Sequence, residues 1–303
     1  MLDDELRKAR LGPLYQPDVT LQQLADAFLD QFQGAPASKS WLRYYLIKPT
    51  DTFGNDPLGE LNALAIAQWR VKMLEATRHG AHRALRQVLA SAVRWQWIER
   101  NAALDVKNPL HPRAEFVPFE SWDDVDAVGR ACPFGPVAIF CVSTGVRPEE
   151  AFGADWMDLD PAAGVFTIRR AYAKGKLKTY AKTARPRRRV PIRRKVIAAL
   201  ETIPGRKGTV LPALGGGQID INNWRSRKWT PALKAAGVEH RRIYDMRHTF
   251  ATWSLAAGMS IFTLARRMGT SVPVIDATYG HLAIDADGDD RELLDAYDEA
   301  RGT

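Results

Sequence analysis

The sequence predicts a mainly α-helical protein with a small β-sheet, divided into two domains. Three observations carry that prediction. Apolar residues recur at helical spacing through the first hundred residues, where no segment alternates as a strand does. A proline cluster, Pro109, Pro112 and Pro118, then interrupts the pattern. Beyond it, Gly164 to Arg170 (Gly-Val-Phe-Thr-Ile-Arg-Arg) is β-branched and aromatic enough to read as a strand amid helical segments.

In chain order, residues 1–18 are polar, contain Pro13 and Pro17, and read as a short arm or linker. Leu21 to Phe32 is the first expected helix, with Leu24, Ala25 and Phe28 on one face and Thr20 as N-cap. A second is expected over Leu61 to Ala76, with Leu64, Ala67, Val71 and Leu74 as its stripe. A third covers His82 to Ile98 through Leu85, Val88, Leu89, Ala92 and Val93. These define an all-α domain at 19–108, followed by a linker at 109–118. Ser121 and Asp124 form a capping box that opens the second domain, 119–303, and Pro136 to Ser143 continues it as an apolar helix. The 164–170 strand finds its expected partner at Arg189 to Ile192, with Lys174-Gly175-Lys176 near the turn. Met246 to Ala257 then reads as a helix anchored by Phe250, Trp253 and Leu255 and closed by Gly258. Ser260 caps the next helix, which carries Ile261 and Leu264.

Charge points to a polyanion as partner. The 303 residues hold 43 Lys and Arg against 35 Asp and Glu, a formal charge of +8. The distribution is uneven, because Ile284 to Arg301 forms an acidic tail in which Leu293, Leu294 and Tyr297 fall at helical spacing. Two cysteines, Cys132 and Cys141, are too few for a disulfide framework or a four-thiolate zinc site. Nothing resembles a signal peptide or a membrane span, so the expected setting is the cytoplasm, on the nucleoid, with no membrane partner.

Three segments carry the chemistry. Between Arg169 and Lys195 lie thirteen basic residues and no acid; Arg169, Arg170, Lys174, Lys176, Lys178, Arg185, Arg187, Arg188 and Arg189 are the expected DNA contacts. Each phosphate neutralised there releases condensed counterions. Thr144-Gly145-Val146-Arg147-Pro148-Glu149-Glu150 follows a helix and begins another, which sets Arg147 near a helix start, where anions bind. Tyr244-Asp245-Met246-Arg247-His248-Thr249-Phe250 precedes Gly269-Thr270-Ser271 and then Thr278-Tyr279-Gly280-His281.

From about residue 20 to 283, this arrangement resembles the tyrosine recombinase, or phage integrase, family. The first arginine motif matches Thr144 to Trp156 with Glu150. The lysine-bearing hairpin looks like Ala181-Lys182-Thr183 running to Val190-Pro191-Ile192. The second arginine motif matches Met246-Arg247-His248-Thr249, and the nucleophile motif Tyr279-Gly280-His281. The resemblance implies a SAM-like, all-α core-DNA-binding domain and a catalytic domain of the DNA breaking-rejoining fold, the two closing on DNA like a clamp. It implies Tyr279 as nucleophile, Arg147 and Arg247 as phosphate clamps, Lys182 as general acid, and Tyr244 and Thr270 as further phosphate donors. Glu150, His248 and His281 are supporting groups.

The physics agrees with these roles. Two guanidiniums on the non-bridging oxygens neutralise a phosphodiester and favour its more highly charged transition state, with neither metal nor cofactor required. The same cations are expected to favour the phenolate of a tyrosine whose ordinary pKa is about 10. Attack yields a 3′-phosphotyrosine and a free 5′-hydroxyl, and a second 5′-hydroxyl reseals the strand without ATP. Two positions depart from the family: Tyr244 stands where histidine is common, and Thr270 where histidine or tryptophan is common. The implied partners are double-stranded DNA at specific attachment sites, a tetramer on two such sites, and an accessory DNA-bending or directionality protein. The alternatives are a DNA-binding protein of the same fold that lost its chemistry, and a relaxing enzyme of the type IB topoisomerase sort.

Overall fold

The structure, a computed structural model, describes residues 12, 14–109, 115–133, 136–180, 188–203, 205, 207–283 and 295–300. It is mainly α with two small sheets, and the chain divides into two compact units, Met1–Ala114 and Glu115–Thr303.

The first unit is built on α1 (Leu21–Asp30), α2 (Pro36–Phe53), α3 (Ala63–Lys72) and α4 (Glu75–Arg94). Thr20 and Gln23 form a capping box at the start of α1. Its buried Leu21, Leu24, Ala25 and Phe28 join Leu42, Leu46 and Phe53 of α2 and Leu85, Val88, Leu89 and Ala92 of α4 in one core. The spacing of apolar residues did not predict α2, in which Leu42, Leu46, Pro49 and Phe53 face inward.

The stripe expected on α3 is corrected. Leu64, Val71 and Leu74 are 68%, 70% and 79% exposed, whereas Ile66 and Trp69 are buried. Trp69 packs edge-on against Phe53 at 5.7 Å. Both faces of this helix are apolar, so periodicity alone could not choose between them, and the larger tryptophan turns inward. The helix also stops at Lys72, so Leu74 lies beyond it.

The second unit begins with α5 (Trp122–Ala131), whose N-cap Ser121 accepts from Asp124 N, then α6 (Pro136–Thr144) and α7 (Pro148–Phe152). Strands β1 (Leu159–Asp160), β2 (Val165–Ile168) and β5 (Arg188–Pro191) form an antiparallel sheet in the order β1-β2-β5, with Val165 opposite Pro191 and Ile168 opposite Arg188. The expected single strand over 164–170 is in fact two elements. After Arg169 the chain enters β3 (Arg170–Ala173), which pairs with β4 (Lys176–Thr179) as a separate hairpin. Lys174 and Gly175, with φ of 52° and 72°, turn that hairpin rather than the β2/β5 pair.

Helix α8 (Arg194–Glu201) follows, then α9 (Ile221–Trp224), a π-helical stretch Arg225–Trp229 and α10 (Thr230–Ala235). Most of these elements pack around Phe140, Phe152, Phe166, Val190, Trp224 and Trp229. A smaller apolar cluster joins α11 (Asp245–Ala256), α12 (Ile261–Met268) and α13 (Val272–Tyr279): Phe250, Ala251, Leu264, Ala265, Met268, Ile275 and Tyr279. Residues 295–300 are helical and exposed; Leu293 and Leu294 lie outside the described residues. No helix among the described residues is long and apolar enough to cross a membrane.

Candidate active site

Arg147 is the N-cap residue of α7 and reaches the site through a glycine turn. Gly145 has φ of 62°, and a Cβ there would lie 2.1 Å from the Phe250 ring, so the close passage of this turn over α11 requires glycine. Pro148 starts α7, and Glu150, in its first turn, accepts from Arg147 N at 2.9 Å and from Arg147 Nη1 at 3.0 Å. Arg147 Nη2 donates to Gly269 O at 2.9 Å. Burial works against the Arg147 charge, but Glu150 outweighs it and holds the pKa above the ordinary arginine value.

Arg247 comes from the first turn of α11 and is 3% exposed. Its Nη1 donates to Gly145 O and its Nη2 to Met268 O at 2.7 Å. The two arginines, a hundred residues apart in sequence, are thus fixed on neighbouring carbonyls, Met268 and Gly269, at the end of α12. Gly269 has φ of 64°, and a Cβ there would strike the Arg188 guanidinium at 2.0 Å. Burial, aided by Arg147 and Arg188, pulls the Arg247 pKa down to about 10, against the raising effect of Tyr244. The carbonyl frame leaves each guanidinium further N–H donors, since arginine has five.

Tyr279 ends α13 and is 3% exposed. Its hydroxyl is 2.7 Å from His248 Nδ1. Phe116 stacks on His248 at 4.4 Å and 6° between planes and lies 5.3 Å from the Tyr279 ring. The expected easing of ionisation does not occur in this state. Burial pushes the Tyr279 pKa up to about 12, and the opposing charge of Arg247 does not compensate, because the phenol sits in the small apolar cluster of α11, α12 and α13.

The remaining expected residues distribute as follows. Tyr244 is 42% exposed, its ring 6.0 Å from the Arg247 guanidinium carbon. Thr270 is half-buried, with its amide donating to Ala265 O. His281 is exposed on the 3-10 turn after Tyr279. Lys182, Arg185 and Arg187 lie outside the described residues. Lys174, Lys176, Lys178 and Arg189 are exposed. Three other basic residues are engaged within the protein: Arg188 pairs with Glu150, while Arg169 and Arg170 pair with Asp158 at 3.3 and 3.1 Å.

Known proteins resemble this chain in sequence and in fold. Residues 136–284 match the phage integrase family. The integrase of Salmonella phage P22 is 26% identical over 207 residues, 66% of this chain and 52% of that protein. Among solved structures, the Tn1549 transposon integrase in complex with transposon right end DNA superposes with a TM-score of 0.73 at 18% identity, over 91% of this chain and 99% of that one. A λ integrase dimer bound to a COC′ core site gives 0.68 at 14% identity, over 88% and 78%.

The stretch 136–284 of this chain belongs to the phage integrase family.

The chain spans about half the length of the P22 integrase. Sequence reasoning missed two of the residues at this site, Tyr180 and Phe116, and read a third, Arg188, as a DNA contact. Arg188 was hidden in the basic run, although the inward alternation of its strand distinguishes it from exposed Arg189. Tyr180 carries a hydroxyl whose pKa is raised by burial and then by Glu150, and the charges of Arg147 and Arg188 also bear on it. Phe116 was assigned to a linker; its only signal was an aromatic residue inside the apolar string Phe116-Val117-Pro118-Phe119.

Proposed function

We propose that this protein is a site-specific DNA recombinase that cuts and rejoins double-stranded DNA through a 3′-phosphotyrosine on Tyr279, for integration or excision of a mobile element. One observation carries the reading: Arg147 and Arg247 are braced on adjacent carbonyls, with free donors beside a tyrosine on the next helix. That pair grips the non-bridging oxygens of one phosphate and stabilises the extra charge of the pentacoordinate transition state. Glu150 holds Arg147 and Arg188 in place, and Tyr244 and Thr270 supply further donors at the rim. Lys182 protonates the leaving 5′-oxygen. Because Tyr279 is covered, DNA binding has to uncover it before attack, so the described state is a resting one.

The exposed hairpin lysines and Arg189 supply phosphate contacts, and the first unit is the core-DNA-binding domain. The relatives named above include integrases in complex with DNA, and a λ integrase tetramer bound to a Holliday junction has the same fold at a TM-score of 0.65. By extension, this chain works in the cytoplasm as a tetramer on two attachment sites, with an accessory DNA-bending or directionality protein.

A nicked suicide substrate carrying the element's own attachment site tests the reading. Wild-type protein is expected to become covalently joined to DNA, and Tyr279→Phe is not. Retention of DNA with no adduct would identify a binding protein that lost its chemistry. Relaxation of any supercoiled plasmid by a monomer would identify a topoisomerase.

A further inference from the structure

We propose that His248 is the base that takes the phenolic proton of Tyr279, through its Nδ1. This inference rests on the reading of Tyr279 as nucleophile. The contact is direct, at 2.7 Å, and joins two helices 31 residues apart in sequence. The imidazole is held in orientation by rings on two sides: Phe116 lies parallel to it at 4.4 Å, and Tyr244 is tilted at 60° with its centroid 5.5 Å away. In the ring plane so held, Nδ1 points toward the Tyr279 hydroxyl.

The other groups around that hydroxyl fail as acceptors. Arg247 is a cation, and Tyr244 is a phenol that carries a proton of its own. Asp245 is buried and engaged by the backbone N, Nε and Nη2 of Arg242. The groups facing His248 are Asp245, Arg242, Arg247 and Tyr244 from its own helix and its start, Tyr279 from α13, and the uncharged Phe116 from the 115–119 segment. Burial, reinforced by Arg242 and Arg247 and opposed by Asp245, brings its pKa to about 4. The ring is thus neutral at physiological pH, so Nδ1 has a lone pair to accept with, and the same burial that weakens it as a base is relieved when DNA binding uncovers the pair.

In the cleavage step the Tyr279 Oη–phosphorus bond forms and the phenolic proton passes to Nδ1, giving an imidazolium. The phosphorus–O5′ bond breaks, and O5′ takes a proton from Lys182 under the proposed function. On resealing, a 5′-hydroxyl gives its proton back to the neutral Lys182 as its oxygen attacks phosphorus, the Oη–phosphorus bond breaks, and Nδ1–H returns the proton to Oη. The balance needs no further reactant.

The test is single-turnover adduct formation on a substrate with a 5′-bridging sulfur, whose leaving group needs no acid, so that nucleophile activation is read alone. At neutral pH, His248→Asn is expected to slow the reaction by about 10²-fold or more, the scale of general base catalysis. Its rate should then climb about tenfold per pH unit toward the phenol's own pKa, while wild type stays flat. A loss of equal size at every pH marks a structural role and overturns the proposal. If the variant does not fold, the ¹⁵N shift of His248 in the intact protein decides. An unprotonated, acceptor-type Nδ1 that moves on Tyr279→Phe supports the proposal; a protonated Nδ1 overturns it. Adduct formation by wild type with an unaffected His248→Asn sinks this inference alone, whereas no wild-type adduct sinks the proposed function with it.

Discussion

Two carboxylates in the second unit are buried almost completely, and each faces two arginines, yet they serve different ends. Glu150 is 2% exposed and joins Arg147, at the start of α7, to Arg188 of β5; it also accepts the backbone N–H of Arg147. Asp158 is 3% exposed and takes Arg169 and Arg170, which are neighbours in sequence. The first carboxylate therefore ties distant elements together beneath two guanidiniums of the site. The second pins one basic stretch to the sheet, with Asp155 sharing Arg170. What a buried ion pair contributes depends less on its charges than on what its partners can do when it is gone. Arg188 has a side chain only 14% exposed and little access to water, whereas Arg169, at 38%, has more.

The difference is broken most directly by truncation. Glu150→Ala is expected to cost about 3–5 kcal/mol, the range for removing one partner of a buried pair. Asp158→Ala is expected to cost about 1–3 kcal/mol, because Arg169 turns outward and Arg170 keeps Asp155. Urea unfolding of the two variants side by side measures this, and an equal or reversed order would refute the distinction.

Activity sharpens the same contrast. Arg247→Ala is expected to lower suicide-substrate cleavage by roughly 10²–10³, as for a lost transition-state donor. Arg170→Ala, which removes the same charge from the other centre, should change it only a few-fold. Gel-shift titration in parallel separates cleavage from DNA affinity, and comparable cleavage losses would mean that both arginines merely anchor phosphate.

The smallest effect lies on the pH axis. Burial brings both His82, in the first unit, and His248, in the second, down to about 4 from 6.5. The unfolded chain thus takes up protons near 6.5 that the folded chain refuses until about 4, so stability falls as pH drops across that window and is unaffected above it. Asp158 has the opposite sign: burial raises its carboxyl, despite Arg170 and Arg169, so its protonation in acid relieves a cost. The thermal midpoint is expected to fall between pH 6.5 and 4, less steeply in His248→Asn and more steeply in Asp158→Ala. Parallel slopes in all three proteins would contradict these signs.

Much of the second unit was legible because its signals are local. Ser121 caps α5, Ser260 caps α12, Gly258 with a positive φ follows the end of α11, and each arginine motif lies where a helix begins. Pairings between distant segments were not legible. Nothing in the order of residues says that Glu150 reaches Arg188 rather than Arg247, since both cations suit it equally until the fold carries Arg247 onto the Gly145 and Met268 carbonyls. Helix α2 was missed because Pro49 lies within a pattern whose inward face is sparse, and α3 was turned the wrong way because apolar residues cover both of its faces. The raised pKa of Tyr279 was invisible for a related reason: a nearby cation can be read from a motif, but the depth of burial cannot.

The segment that brings Phe116 over Tyr279 has a practical consequence for anyone who would re-engineer this chain. Its ties follow within five residues of one another: Glu115 O accepts from Arg242, Pro118 O from Arg241, and Phe119 N donates to Thr249. The peptide that leads in from the first unit is therefore also the roof of the Tyr279 pocket. A chimera that exchanges the first unit for another keeps the surroundings of Tyr279 whole only if the splice falls before Glu115. A junction placed a few residues later, at Pro118, would graft a foreign roof.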